Sequence, residues 1–90
     1  MQERDLIKDF GLTLAQYNQM LVAQNGVCAI CKKPETAIRD GELLALAVDH
    51  NHKTNQIRAL LCGNCNKGIG NLQESPELLI TAAQYLKSFE

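Results

Sequence analysis

The sequence holds no tryptophan and only four aromatic residues: Phe10, Tyr17, Tyr85 and Phe89. A core must therefore be assembled mostly from Leu, Ile, Val and Ala, and in a chain of 90 residues such a core is thin. Chains of this size commonly add a metal or disulfides to what their core supplies. Long apolar runs are also missing. The longest, Leu43–Val48, has six residues, far below the roughly 20 that cross a bilayer. The charged start, Met1–Asp5, leads into no apolar stretch, so no secretory signal is expected and the chain reads as intracellular. Neither sign of charge dominates: nine basic residues face ten acidic ones, and the isoelectric point is about 6.1. That balance argues weakly against nucleic acid as a partner, because domains that bind it are often strongly basic. An apolar fraction of 46% excludes a wholly disordered chain. Repeats, low-complexity tracts and linkers are absent, so one domain over 1–90 is expected.

What the chain does have is four cysteines in two pairs, Cys28-Ala-Ile-Cys31 and Cys62-Gly-Asn-Cys65. Two C-x-x-C pairs offer the four thiolates of a closed, structural zinc site. The 30 residues between them exceed the spacing of a simple zinc ribbon and leave room for a hairpin. Two disulfides are the competing reading, but the lack of a secretory signal disfavours them. A thioredoxin-like redox role needs one pair beside a βαβ pattern, which is not visible.

The chain reads as helix, helix, knuckle, hairpin, helix, helix. Glu3–Phe10 suits a short helix ended by Gly11. Thr13 caps the next, with Gln16 completing a capping box. Leu14, Tyr17 and Leu21 recur at helical spacing, and Asn25-Gly26 closes the segment. Cys28–Pro34 reads as a zinc knuckle, and Glu35–Glu42 as irregular with a turn at Asp40-Gly41. Leu43–Asp49 and Ile57–Leu61 read as two strands joined by the loop Lys53–Gln56. Cys62 opens a short helix through about Gly68. Ser75-Pro76-Glu77 starts a terminal helix. Its apolar face of Leu78, Leu79, Ala82, Ala83, Leu86 and Phe89 is expected to pack on the first helix. This is an α+β fold: N-terminal helices in 1–27, a zinc-bound core in 28–71, and a C-terminal helix in 75–90.

The polar residues worth chemistry lie between and beside the knuckles. Val48-Asp49-His50-Asn51-His52 ends the first strand, and Asn66 follows the last cysteine. If the knuckles hold the hairpin and short helix face to face, Asp49 and Asn66 make a sparse oxygen-ligand site. Mg²⁺ or Mn²⁺ suits such a site, with water and phosphate completing the shell. His50 stands where it could take a proton from water. From Val48 to Leu72 three bases, Lys53, Arg58 and Lys67, face the single acid Asp49, whereas elsewhere nine acids outnumber six bases. The three bases are candidate phosphate contacts. Each feature alone has a plain structural reading: Asn66 as a helix cap, Arg58 as the partner of an acid.

Taken together, Cys-x-x-Cys, Val48-Asp49-His50-Asn51-His52 and Ile57-Arg58-Ala59-Leu60-Leu61-Cys62-x-x-Cys65-Asn66 resemble the phage recombination endonuclease VII family of HNH, or ββα-metal, nucleases. Gly11-Leu12-Thr13-Leu14-x-x-Tyr17 and Ser75-Pro76-Glu77-Leu78-Leu79 extend the likeness over roughly Phe10 to Leu86. The resemblance implies a ββα-metal, treble-clef-like core with structural zinc on Cys28, Cys31, Cys62 and Cys65. It implies a divalent ion on Asp49 and Asn66, His50 as general base, and His52 against the phosphate. Well-studied family enzymes carry further helices that build an intertwined dimer on branched DNA. Here one terminal helix follows the core, so nicking or cutting of duplex DNA is expected, with branched DNA and a homodimer left open. The alternatives are a zinc-knuckle module that binds DNA or protein without cutting, and a disulfide-stapled secreted domain.

Overall fold

The computed structural model describes residues 3–90; Met1 and Gln2, the beginning of the charged N-terminal segment, lie outside the described residues. The elements follow as α1 (Glu3–Phe10), α2 (Leu14–Ala23), β1 (Ile38–Arg39), β2 (Glu42–Leu43), β3 (Ala47–His50), β4 (Ile57–Leu61), α3 (Gly63–Asn71) and α4 (Pro76–Lys87). Two antiparallel hairpins, β1–β2 and β3–β4, are flanked by the helices. The fold is thus α+β with small sheets, as the sequence pattern implied.

The local signals at both N-terminal helices operate as expected. Gly11, at φ +70, ends α1 and donates to the Ile7 carbonyl at 2.9 Å. The Thr13 hydroxyl accepts from the Gln16 N–H at 3.1 Å, and the Gln16 side chain accepts from the Thr13 N–H at 2.8 Å. At the other end of α2, Asn25 takes the left-handed conformation at φ +57. Asn25 and Gly26 donate to the carbonyls of Val22 and Leu21, which closes the helix as a Schellman motif. Leu6, Tyr17, Leu46, Val48, Leu60 and Leu61 bury the core together with Cys28 and Cys62. The Tyr17 hydroxyl donates to the Leu46 carbonyl at 2.6 Å, so the one fully enclosed phenol has its polar end satisfied.

The hairpin β3–β4 carries the site. Its register pairs Ala47 with Leu61, Val48 with Leu60 and His50 with Ile57. Between Val48 and His50 the register slips by one, so Arg58 and Ala59 together lie opposite Asp49. One hydrogen-bonding edge of β4 pairs with β3. At the other, the Gln24 side chain stands in for a strand: its amide donates to the Leu60 carbonyl and its oxygen accepts from the Leu60 N–H, both at 2.9 Å. The Ala29 N–H also reaches the Leu60 carbonyl at 3.1 Å, tying the first knuckle to the same strand.

Three expectations need correction. Glu35–Glu42 is not wholly irregular: Asp40-Gly41, both at positive φ, forms a two-residue turn that pairs Ile38 with Leu43 and Arg39 with Glu42. That turn captures Leu43 into its own hairpin, so the core strand begins only at Ala47. Next, α3 runs past Gly68 to Asn71, because two glycines lower helix propensity without ending a helix that packs on β3. Lastly, α4 lacks the extensive packing on the first helix that its apolar face suggested. It buries no residue, and Leu86 and Phe89 are 65% and 78% exposed. The chain leaves α3 through two left-handed residues, Gln73 and Glu74, and only Leu79 and Ala82 of the apolar face become half-buried.

Replacing Gln24 by Ala leaves the Leu60 N–H without its acceptor and the Leu60 carbonyl with the Ala29 N–H alone. A loss of about 2 kcal/mol is expected from such buried backbone groups, read as a lower midpoint in urea unfolding.

Candidate metal centre and polar cleft

The four cysteine sulfurs converge. All lie within 4.8 Å of one another, and Cys31 Sγ and Cys62 Sγ are 3.8 Å apart. A sulfur–sulfur bond is about 2 Å long, so these are unpaired thiols and the disulfide alternative is set aside. Four sulfurs about 2.3 Å from a central zinc would stand nearly 3.8 Å from one another, the separation of Cys31 and Cys62, so the cluster is of the size that a tetrahedral zinc requires.

The backbone prepares it. Cys28 donates its N–H to Lys33 O at 2.9 Å, and Lys32, at φ +62, turns the knuckle. The Ile30 N–H points at Cys28 Sγ from 3.4 Å. In the second knuckle Cys62 is the N-cap of α3, and its sulfur accepts from the Cys65 N–H at 3.4 Å. Burial opposes charging of Cys28, but the N–H groups of Cys62, Cys31 and Ile30 prevail and lower its thiol to about 6. Cys65 goes the other way, pushed up to about 12 by burial and then by the neighbouring thiols. Without a cation only part of the cluster can ionise, which is the electrostatic signature of a metal site.

Beside this centre lies a chain of charged contacts. Asp49 is 7% exposed, and both its oxygens are held by Arg58: Nε to Oδ2 at 2.6 Å, Nη2 to Oδ1 at 2.9 Å. Arg58 Nη2 also reaches the His50 carbonyl at 3.1 Å and the Oε1 atom of Glu74. Hydrogen bonds to Asp49, then to Glu74, raise the Arg58 pKa above its ordinary value. The other oxygen of Glu74 lies 3.2 Å from His52 Nε2. The His52 ring stands 4.4 Å from that of His50, and the Phe10 ring 5.6 Å from His50. Asn51, His52, Lys53, Arg58, Gln73 and Glu74 line an open cleft of about 190 Å³. The Asn51 side chain shapes its lip by accepting from the N–H groups of Lys53 and Thr54.

The expected residues are therefore brought together unevenly. Asp49, His50, His52 and Arg58 are linked in one network. Lys53 sits at the cleft. Asn66, half-buried on α3, donates its N–H to Cys62 O at 3.0 Å, and among the described residues its side chain joins no bond of the network. Lys67 is exposed on the same helix. Arg58, open in the sequence between phosphate and an acid, pairs with two acids. Glu74 was missed: a lone Glu ahead of Ser75-Pro76 carries no signal until the turn that aims it is known.

A hairpin and helix clamped by a tetrathiolate cluster, with a carboxylate, two imidazoles and a guanidinium along one side, define a small metal-stapled ββα protein. A profile of the recombination endonuclease VII family matches residues 3–88. The chain is 36% identical over 86 residues to the Gene 59 protein of Mycobacterium phage D29, covering 94% of this chain and 49% of that protein. Against the Gene 59 protein of Mycobacterium phage L5 it is 35% identical over 85 residues, covering 93% and 49%. The chain thus spans about half the length of the curated relatives it matches. It belongs to the recombination endonuclease VII family. No solved structure matches it significantly, and no described helix is long and apolar enough to cross a membrane.

One equivalent of zinc by atomic spectroscopy is expected in the purified protein, and a strong chelator is expected to lower its melting temperature sharply. Acid competes for the site through the thiolates. The thiolates must lose the metal to take up protons, so zinc occupancy is expected to fall as pH is lowered, read by atomic spectroscopy after dialysis across a pH series.

Proposed function

We propose that this chain is an HNH-type, metal-dependent DNA endonuclease that nicks or cuts duplex or branched DNA inside the cell. The single observation that carries the reading is the run Asp49-His50 at the end of β3, beside the cleft lined by His52, Lys53 and Arg58, in a chain of this family. Residues 28–71 are the nuclease core in this reading, with 1–27 and 75–90 as flanking helices. The cluster of Cys28, Cys31, Cys62 and Cys65 holds structural zinc, whose four thiolates leave no open position for substrate. A homodimer through the exposed face of α4 is compatible with it.

His50 is the general base. Its ring contacts those of Phe10 and His52, and it is half-buried at the strand end. It takes the proton from a water molecule that attacks phosphorus in line, leaving 5′-phosphate and 3′-hydroxyl ends. His52, Lys53 and Arg58 hold phosphate on the cleft side, and exposed Lys67 adds charge on α3. Asp49 and Asn66 would hold Mg²⁺ or Mn²⁺, which when bound supplies a positive charge against the phosphate and the departing oxygen. The donor set fits: one buried carboxylate and one half-buried amide, with a lone pair left on each carboxylate oxygen beside Arg58.

One observation favours a second reading. The bidentate grip of Arg58 on Asp49 satisfies the carboxylate within the protein, as suits a module that holds DNA without cutting it. A supercoiled-plasmid assay separates the two. With Mg²⁺ or Mn²⁺ the parent is expected to nick, and His50→Ala to nick at least about a hundredfold more slowly. An unchanged rate in His50→Ala rejects the base assignment, and an inactive parent across metals and substrates favours the binding module.

A further inference from the structure

Glu74 lies outside every motif that led to the proposed function, yet it touches two of the residues that line the cleft. Its carboxylate divides between them: Oε1 to Arg58 Nη2, Oε2 to His52 Nε2 at 3.2 Å. The side chain is 24% exposed, so this bridge is partly shielded from water. Arg58 comes from β4 and His52 from the loop after β3, and Glu74 joins them from a third segment.

The backbone under Glu74 is locked. Leu72 caps α3, and the next two residues are both left-handed, Gln73 at φ +61 and Glu74 at φ +52. Neither is glycine, the residue that usually supplies this conformation. Gln73 donates to the Gly70 carbonyl at 3.0 Å and Glu74 to the Ile69 carbonyl at 2.7 Å, the paired bonds of a Schellman motif. Glu74 is therefore aimed by the end of α3 and does not depend on α4, which packs on little. The helix that carries Cys65 thus also directs the carboxylate that holds the cleft.

We propose that Glu74 is a positioning residue for a phosphodiester subsite of the DNA backbone, formed by His52, Lys53 and Arg58. The inference rests on the reading of this cleft as a DNA site. Arg58 uses Nε and Nη2 on Asp49, the His50 carbonyl and Glu74, and Nη1 has no acceptor among the described residues. Nη1 is the donor left for a phosphate oxygen, and Glu74, sharing Nη2 with Asp49, gives the guanidinium a second carboxylate anchor that fixes its plane. His52 is held at the opposite end of the same carboxylate, and Lys53 completes the positive lip.

The sign of one substitution separates this role from plain electrostatics. Glu74 is negative beside a phosphate site, so its charge alone should repel DNA, and Glu74→Gln should then bind DNA more tightly. A positioning role requires weaker binding. The measurement is fluorescence anisotropy of a short fluorescein-labelled duplex with zinc-loaded protein and no added Mg²⁺ or Mn²⁺, over a range of salt. Glu74→Gln is expected to weaken binding about fivefold and to lower the salt slope by about one, as loss of one phosphate contact does. Glu74→Asp keeps the charge but draws it back from both partners, and the same loss is expected. Arg58→Ala should weaken binding as well, and adding Glu74→Gln to it should cost less than it does in the parent, because only the His52 half of the bridge remains to be lost.

Equal or tighter binding by Glu74→Gln overturns the inference, as do penalties that add in the double variant. A parent that binds no duplex overturns it too. A parent that binds with the expected pattern but nicks no plasmid upholds this inference while removing the nuclease reading. A parent that nicks while Glu74→Gln binds as well as the parent removes this inference alone.

Discussion

Four sulfur atoms within 4.8 Å of one another cannot all ionise unless a cation sits among them. That constraint organises the protein. Cys28 and Cys31 belong to a turn after α2, Cys62 and Cys65 to the first turn of α3, and the hairpin β3–β4 leads into the second pair. Satisfying the thiolates fixes α3 against the hairpin and fixes the first knuckle against β4. The apolar core around Leu6, Leu60 and Leu61 is small, so a metal contributes what aromatic bulk would in a larger domain.

The site grows from the same clamp. The register slip in β3–β4 sets two β4 residues opposite Asp49, and Arg58 grips it along the edge of its guanidinium fork. The grip keeps a buried carboxylate from standing unpaired, which would be costly. It also means that Asp49 has a cation beside it at all times, and any divalent ion approaching from α3 must share the carboxylate with a guanidinium. Arg58 and Glu74 are as much a part of the chemistry available here as the histidines.

Much of this architecture was legible in the residues. The two C-x-x-C pairs announced the metal cluster, Thr13 and Gln16 the capping box, and Ser75-Pro76 the start of α4, because each signal is local and needs no partner elsewhere. Asp49, His50, His52 and Arg58 share one hairpin, as their places in the sequence implied, whereas the Asn66 side chain, expected opposite Asp49, joins no bond of their network among the described residues. What stayed hidden was non-local. Gln24 serves Leu60 across 36 positions in sequence, and Glu74 reaches its partners only because two residues take a conformation that their side chains disfavour. The helix α4 misled for the opposite reason: an apolar periodicity says that a face seeks cover, but not that the chain provides it. At Leu43, the Asp40-Gly41 turn imposed a pairing that hydrophobicity alone could not reveal.

The amide of Gln24 has a consequence beyond stability. A two-stranded ribbon offers two raw margins, each able to recruit a foreign strand and grow. At Leu60 that margin is stoppered by a side chain with donor and acceptor in the right order, so another polypeptide finds no vacancy there. In a small protein with little bulk to shield its ribbon, one glutamine, helped by the Ala29 N–H, thus closes the outer margin of β4 at Leu60.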